Sequence, residues 1–263
     1  MAINKDYSTK LQTKLLNRRI YFYVLLTFFL ISQHAAAIDK DAQWSDYSRS
    51  VPKNKVEVAH LSGEAQGEIP PAPRAKRANF EQELVSQDTR HFANWVVDSG
   101  DNRGMPFVII DKVEAKVFVF YPDGRIRGAA PVLLGLAPGD DAVPGIGNRV
   151  MSSIRPEERT TPAGRFLSYL GINYYKKDIL WVDYEGAMSL HRVVTNKPEE
   201  RRLERLATPT PLDNRISYGC INVPAKFFDK VVKPAFTKVM GVVYVLPEVK
   251  SKKEIFASYY EVE

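Results

Sequence analysis

Between Pro106 and Leu246 the sequence is built from short runs of β-branched and aromatic residues broken by turn-forming residues. That pattern restricts the chain to a mainly β architecture. Phe107–Asp111 and residues 117–121 are two such runs, and Pro122-Asp123-Gly124 is the turn signal after the second. A third strand is expected over 125–134, followed by a Gly/Pro-rich loop over 135–147. Further strands are expected at 164–169, 179–184, 187–194 and 242–246. Two segments interrupt the β pattern. Residues 195–214 are a charged connection, including Lys197-Pro198-Glu199-Glu200-Arg201-Arg202, with room for one or two helical turns. Residues 224–236 read as a short amphipathic helix with Pro224 in its first turn and Phe227, Phe228, Val231 and Val232 facing inward.

Ahead of this domain three further segments are expected. Residues 1–37 have the form of a secretory signal. A basic region ends at Arg18-Arg19, a mostly apolar run extends from Ile20 to Ser32, and Ala35-Ala36-Ala37 offers small residues for cleavage after Ala37. The apolar run falls short of the roughly 20 residues of a comfortable span. An uncleaved N-terminal anchor is the alternative, and no cysteine lies near the cleavage site to carry a lipid. Residues 38–79 read as a polar, Pro-rich spacer, and 80–104 as a helical lead-in with its helix over 80–97. The catalytic candidate spans 105–247, and 248–263 is a charged tail expected to be peripheral. Location in the periplasm or cell envelope follows from the leader.

The leader also explains the charge. Of the formal net +6, residues 1–37 carry +4, from Lys5, Lys10, Lys14, Arg18 and Arg19 against Asp6. The remaining +2 gives the rest of the chain no electrostatic claim on nucleic acid.

Cys220 is the only cysteine, so no internal disulfide is possible. Histidines occur only at 34, 60, 91 and 191, without H-x-x-x-H spacing, so neither a metal nor another cofactor is expected. His91 reads as a surface or packing residue. Cys220 lies in Ser217-Tyr218-Gly219-Cys220-Ile221-Asn222, between a polar loop and the 224–236 helix. A glycine beside a cysteine leaves room for substrate and lets successive backbone N–H groups converge on an oxyanion. A thiol there needs a base, and His191 on an expected strand is the nearest candidate. From these residues alone, a buried and inert thiol remains the alternative.

Thr161-Pro162-Ala163-Gly164-Arg165-Phe166, Ser189-Leu190-His191 and Ser217-Tyr218-Gly219-Cys220-Ile221-Asn222-Val223 occur in that order. Together they resemble the L,D-transpeptidase catalytic domain, or YkuD fold, over roughly residues 105–247. The resemblance implies a β-sandwich or barrel-like domain with short helices. It implies Cys220 as nucleophile and His191 as base, with the backbone N–H groups of Tyr218, Gly219 and Cys220 as the oxyanion hole. Ser217 and Asn222 would shape the site; their other readings are a turn residue and a helix cap. Thr-Pro-x-Gly reads as a turn before a strand. Three departures mark a divergent subfamily. Tyr218 replaces the usual histidine before the glycine. Arg192 stands where glycine is frequent, and either narrows the groove or offers a cation to a carboxylate. The interval between His191 and Ser217 is long, so 195–214 would be an insertion, potentially a lid.

The family acts on peptidoglycan stem peptides. The resemblance implies a Cys220 thioester with the third-position diamino acid, resolved by an amine from a second stem, an envelope-protein lysine or a D-amino acid. Hydrolysis, as an L,D-carboxypeptidase or amidase, is the first alternative. A non-catalytic peptidoglycan-binding envelope protein is the second.

Overall fold

The computed structural model describes residues 76–263, which lie in the compact unit Pro70–Glu263. The expected signal at 1–37 and the spacer up to residue 75 lie outside the described residues. Helix α1 is Gln87–Ser99. Strands β1 Phe107–Asp111, β2 Lys116–Phe120, β3 Ile126–Pro131 and β4 Leu134–Gly135 come next. They are followed by β5 Gly164–Ile172, β6 Asp178–Asp183 and β7 Met188–Arg192. Helix α2 Arg202–Ala207 precedes β8 Arg215–Ser217 and β9 Ile221–Val223. Strand β10 is Gly241–Val245.

The main sheet has eight strands in the order β3-β2-β1-β10-β5-β6-β7-β9, and β4 pairs with β8 separately. Its far edges approach each other. Leu133, between β3 and β4, exchanges two 2.9 Å backbone hydrogen bonds with Asn222 of β9. The sheet is therefore a nearly closed, barrel-like surface, and the seam of that closure runs beside Cys220.

Period-2 alternation divides the core into two layers. Val108 and Ile110 of β1 face one cluster with Val117, Leu190, Ile221, Phe228, Val243 and Val245. Phe107 and Ile109 face the other, with Phe92, Trp95, Phe118, Tyr244, Phe256 and Tyr259. Because both faces of β1, β2 and β10 are covered, these strands read as unbroken apolar runs.

Several expectations are corrected by the structure. The helix expected from residue 80 begins at Gln87, after the Ser86 cap, whose Oγ accepts from Thr89 N at 3.1 Å. Phe80 is buried, but as an aromatic anchor edge-on to Phe118 and Phe120 rather than as a helical residue. The strand expected over 125–134 breaks after Pro131, which has no N–H for the ladder, and resumes as β4. The end of the expected spacer is packed: Asn79 bridges to Arg125, and Ile126 N donates to Asn79 O at 2.8 Å.

The tail is not peripheral. Ser251 caps a short helix, Lys252–Ile255, and Phe256 and Tyr259 close over Phe92 and Trp95. Both aromatics are 5% exposed, and the charged residues on either side, Lys252-Lys253-Glu254 and Glu261, kept that pair from standing out in the sequence. The helix after Pro224 runs Ala225–Phe227, widens into a π-helical stretch Phe228–Val232, and ends Lys233–Phe236. Phe228 and Val232 are buried, while Phe227 and Val231 pack half-buried on the same cluster.

Candidate active site

Strand register assembles the site. Strands β7 and β9 are parallel neighbours, with Leu190 opposite Ile221 and His191 opposite Asn222. Leu190 and Ile221 point into the core. By alternation Ser189 and His191 share the opposite face, which is where Cys220 emerges from the turn before β9. Ser189 Oγ lies 3.7 Å from Cys220 Sγ, and the thiol also reaches Ala187 O at 3.7 Å. Cys220 is half-buried.

His191 and Cys220 act on each other's protonation. Burial pushes the imidazole pKa down, but the hydrogen bond and charge of Cys220 overcome it, so the net shift is upward. Burial pushes the thiol up, but the hydrogen bond and charge of His191, helped by the Ser189 backbone and hydroxyl, bring it below its ordinary value. Both shifts favour a thiolate–imidazolium pair. His191 Nδ1 lies 2.7 Å from the backbone carbonyl of Arg192. A carbonyl only accepts, so Nδ1 carries the hydrogen and Nε2 is left to exchange a proton with the thiol.

The turn carrying Cys220 is held from three directions. Gly219 has φ +127°, and a Cβ there would sit 2.6 Å from Thr160 O, so the position requires glycine. Ser217 Oγ donates to Cys220 O at 2.7 Å and accepts from Gly219 N at 3.0 Å. Asn222 Nδ2 donates to the same Cys220 carbonyl at 3.1 Å. From across the barrel, buried Thr161 donates to Gly219 O at 2.9 Å and accepts from Gly135 N at 2.8 Å.

Behind Thr161 lies a buried ionic cluster. Lys112 Nζ donates to Asp140 at 2.7 Å and to Thr161 O at 3.0 Å, and lies 3.3 Å from Glu248. Asp140 pays for its desolvation, the largest influence on it and an upward one, through the Lys112 bond and three backbone N–H groups of 248–250; its pKa falls to about 2.

Each expected site residue can now be placed. Cys220, His191, Ser217 and Asn222 are brought together. The Gly219 N–H is engaged by Ser217 Oγ, so Tyr218 and Cys220 remain as the oxyanion-facing candidates of that turn. The half-buried Tyr218 ring lies 3.9 Å beneath the Arg159 guanidinium. Arg192 does not serve as expected. Being next to His191 on a strand, it points to the other face, over Phe228 at 4.4 Å, and donates from Nε to Asp229 at 2.9 Å. Its part in the site is its backbone carbonyl.

Sequence reasoning missed Ser189, Thr161 as a support for the turn, Arg159 and Arg202. Ser189 had a signal, its spacing of two from His191. Arg202, which donates from Nη1 to Asn222 Oδ1 at 2.9 Å, had none.

A groove of about 670 Å³ adjoins Ala187. Its walls include Val143, Pro144, Ile146 and the Trp181–Tyr184 aromatic pair, whose centroids are 5.1 Å apart. A second cavity, of about 490 Å³, lies between residues 81–84 and β2–β3 and touches neither Cys220 nor His191. Among the described residues, no group of three or more His, Cys, Asp or Glu side chains is placed to hold a metal. No helix among them is long and apolar enough to cross a membrane.

No protein-family model and no curated protein matches the sequence. Among solved structures, the chain is similar to an L,D-transpeptidase from Xylanimonas cellulosilytica, at 16% identity and a TM-score of 0.35, covering 54% of this chain and 60% of that one. It is similar to a mutant of the Enterococcus faecium L,D-transpeptidase, at 18% identity and a TM-score of 0.30, covering 54% and 50%. An NMR structure of the E. faecium catalytic domain matches at 18% identity and a TM-score of 0.29, covering 54% and 96%. The chain thus spans between about half and three-fifths of the first two structures. At these identities and TM-scores the likeness specifies no activity.

Proposed function

We propose that this chain is a cysteine acyltransferase of the L,D-transpeptidase class, acting on peptidoglycan stem peptides. The observation that carries the reading is the Cys220–His191 pair. Both pKa values shift toward thiolate and imidazolium, and the imidazole is oriented by the Arg192 carbonyl.

In the first half-reaction Cys220 Sγ attacks a peptide carbonyl, its proton having passed to His191 Nε2. The oxyanion is met by the backbone N–H groups of Tyr218 and Cys220. The imidazolium then protonates the leaving amine, and a thioester remains. In the second half-reaction an acceptor amine attacks the thioester, His191 takes its proton, and the thiolate departs. The groove beside Ala187 gives the peptide an approach to the sulfur. Stem peptides lie outside the cytoplasm, so this function requires export, in keeping with the leader-like residues 1–37.

Mass spectrometry of muropeptides incubated with the purified protein tests the proposal. The expected products are cross-linked or amine-exchanged species that disappear in Cys220→Ala. Hydrolysis products alone would replace the transferase reading with the carboxypeptidase or amidase one. No turnover together with retained muropeptide binding would leave a binding protein.

A further inference from the structure

Residues 195–214 send one side chain back into the site. Arg202 opens α2, and its side chain is 14% exposed. Its Nη1 donates to Asn222 Oδ1 at 2.9 Å, and its Nε donates to Glu200. Asn222 is 1% exposed and passes the connection on, from Nδ2 to the Cys220 carbonyl at 3.1 Å. Two hydrogen bonds therefore join the insertion to the nucleophile's own backbone. The arrangement also fixes the Asn222 amide: Oδ1 faces an obligate donor, and Nδ2 faces an obligate acceptor. A planar guanidinium held at Nε and Nη1 has little freedom to release it.

Arg202 also acts on the base. Its charge opposes protonation of His191, against the pull of Cys220. The groups acting on the imidazole are Cys220, from the turn before β9, and Arg202, whose guanidinium holds Asn222, the register partner of His191 across β7 and β9. Glu200 is engaged with the Arg202 guanidinium, and Arg192 turns its own charge toward Asp229 and Asp178.

We propose that Arg202 is a positioning residue of the acyl-transfer site. It fixes the Cys220 turn through Asn222 and sets a permanent cation beside His191, so that residues 195–214 are a buttress of the site rather than a lid. This inference rests on the proposed function. It separates into a geometric effect, carried by the Asn222 bond, and a charge effect on the imidazole.

The test uses the full chain and four variants: Arg202→Gln, Arg202→Lys, Asn222→Ala and Arg202→Lys combined with Asn222→Ala. Thermal unfolding establishes that each is folded. NMR titration of His191 reads the charge effect. Its midpoint is expected to rise in Arg202→Gln, which removes the opposing cation, and to stay near the parent value in Arg202→Lys. Iodoacetamide alkylation of Cys220 and acyl-transfer turnover read the geometric effect. About a ten- to hundredfold loss of turnover is expected in Arg202→Lys and in Asn222→Ala, and little more in the double variant, because both changes break one path.

If Arg202→Gln does not fold, the Arg202→Lys and Asn222→Ala cycle still decides the geometric claim. An unchanged His191 midpoint in folded Arg202→Gln, or parent-like turnover in Arg202→Lys, overturns the inference while leaving the proposed function standing. A parent Cys220 that resists alkylation in the folded protein removes the acyl-transfer reading itself.

Discussion

Thr161 Oγ1 donates a 2.9 Å hydrogen bond to the carbonyl of Gly219, joining residues 58 positions apart at the turn that presents Cys220. The same hydroxyl accepts from Gly135 N, so one buried side chain ties the 159–161 segment, β4 and the Cys220 turn together. Thr161→Val keeps the shape but leaves a backbone donor and acceptor unpaired. Each costs about 1–3 kcal/mol when buried. Urea unfolding is expected to register a loss of that order and turnover to fall with it, while Thr161→Ser retains most of both.

The mutual pull of Cys220 and His191 gives a signed expectation. Cys220 raises the His191 pKa against burial, which lowers it. In Cys220→Ala only the lowering influences and the Arg192 carbonyl bond remain, so the NMR midpoint of His191 moves to lower pH. In the reciprocal variant, His191→Ala, burial dominates the thiol and its alkylation curve moves to higher pH. A midpoint unaffected by loss of the thiol would show that the two side chains are not coupled.

Asp140 sets an acid limit on stability. Its folded pKa of about 2 lies below the ordinary aspartate value of 3.8. The carboxylate's contribution is therefore complete above the unfolded pKa and is lost as pH falls from about 4 toward 2. The difference corresponds to roughly 2 kcal/mol. In Asp140→Asn that pH-dependent step should vanish from unfolding curves. Stability at neutral pH should also drop, by less than the roughly 3–5 kcal/mol of an orphaned buried charge, because Lys112 loses its nearest carboxylate and keeps only Glu248 at 3.3 Å.

The tail supplies a plain packing prediction. Phe256 is 5% exposed and lies 4.6 Å, centroid to centroid, from Phe92. Phe256→Ala is expected to cost about 3–5 kcal/mol in chemical denaturation. Turnover per folded molecule should stay near that of the parent, since this cluster lies on the sheet face away from Leu190 and Ile221.

Features written in local sequence were readable from it. The strands around Phe107, Val117, Leu190 and Val243 announce themselves through β-branched and aromatic runs, and the turn at Gly219-Cys220 through its glycine. What escaped depends on contacts between distant segments. Phe256 and Tyr259 look like isolated aromatics in a charged tail until α1 is set against them. Arg202 looks like one more cation in a charged stretch until β9 brings Asn222 beneath it. Arg192 shows the reverse case. Its place beside His191 drew attention, yet alternation along β7 sends its side chain to the opposite face. Thr161 was visible within Thr-Pro-Ala-Gly, but nothing in that motif reveals a partner 58 residues further on.

The seam at Leu133 and Asn222 has a consequence for when the protein becomes reactive. Asn222 receives Leu133 along its backbone, His191 as its neighbour on β7, and the Cys220 carbonyl on its side chain. The Leu133 and His191 contacts, 89 and 31 residues away from Asn222 in sequence, form late because loop closure precedes their reward. Until the barrel shuts, Cys220 is an ordinary thiol with nothing to take its proton. Under the proposed function, the pairing of Cys220 with its base therefore waits on barrel closure, and an unfinished chain carries only a thiol of ordinary reactivity.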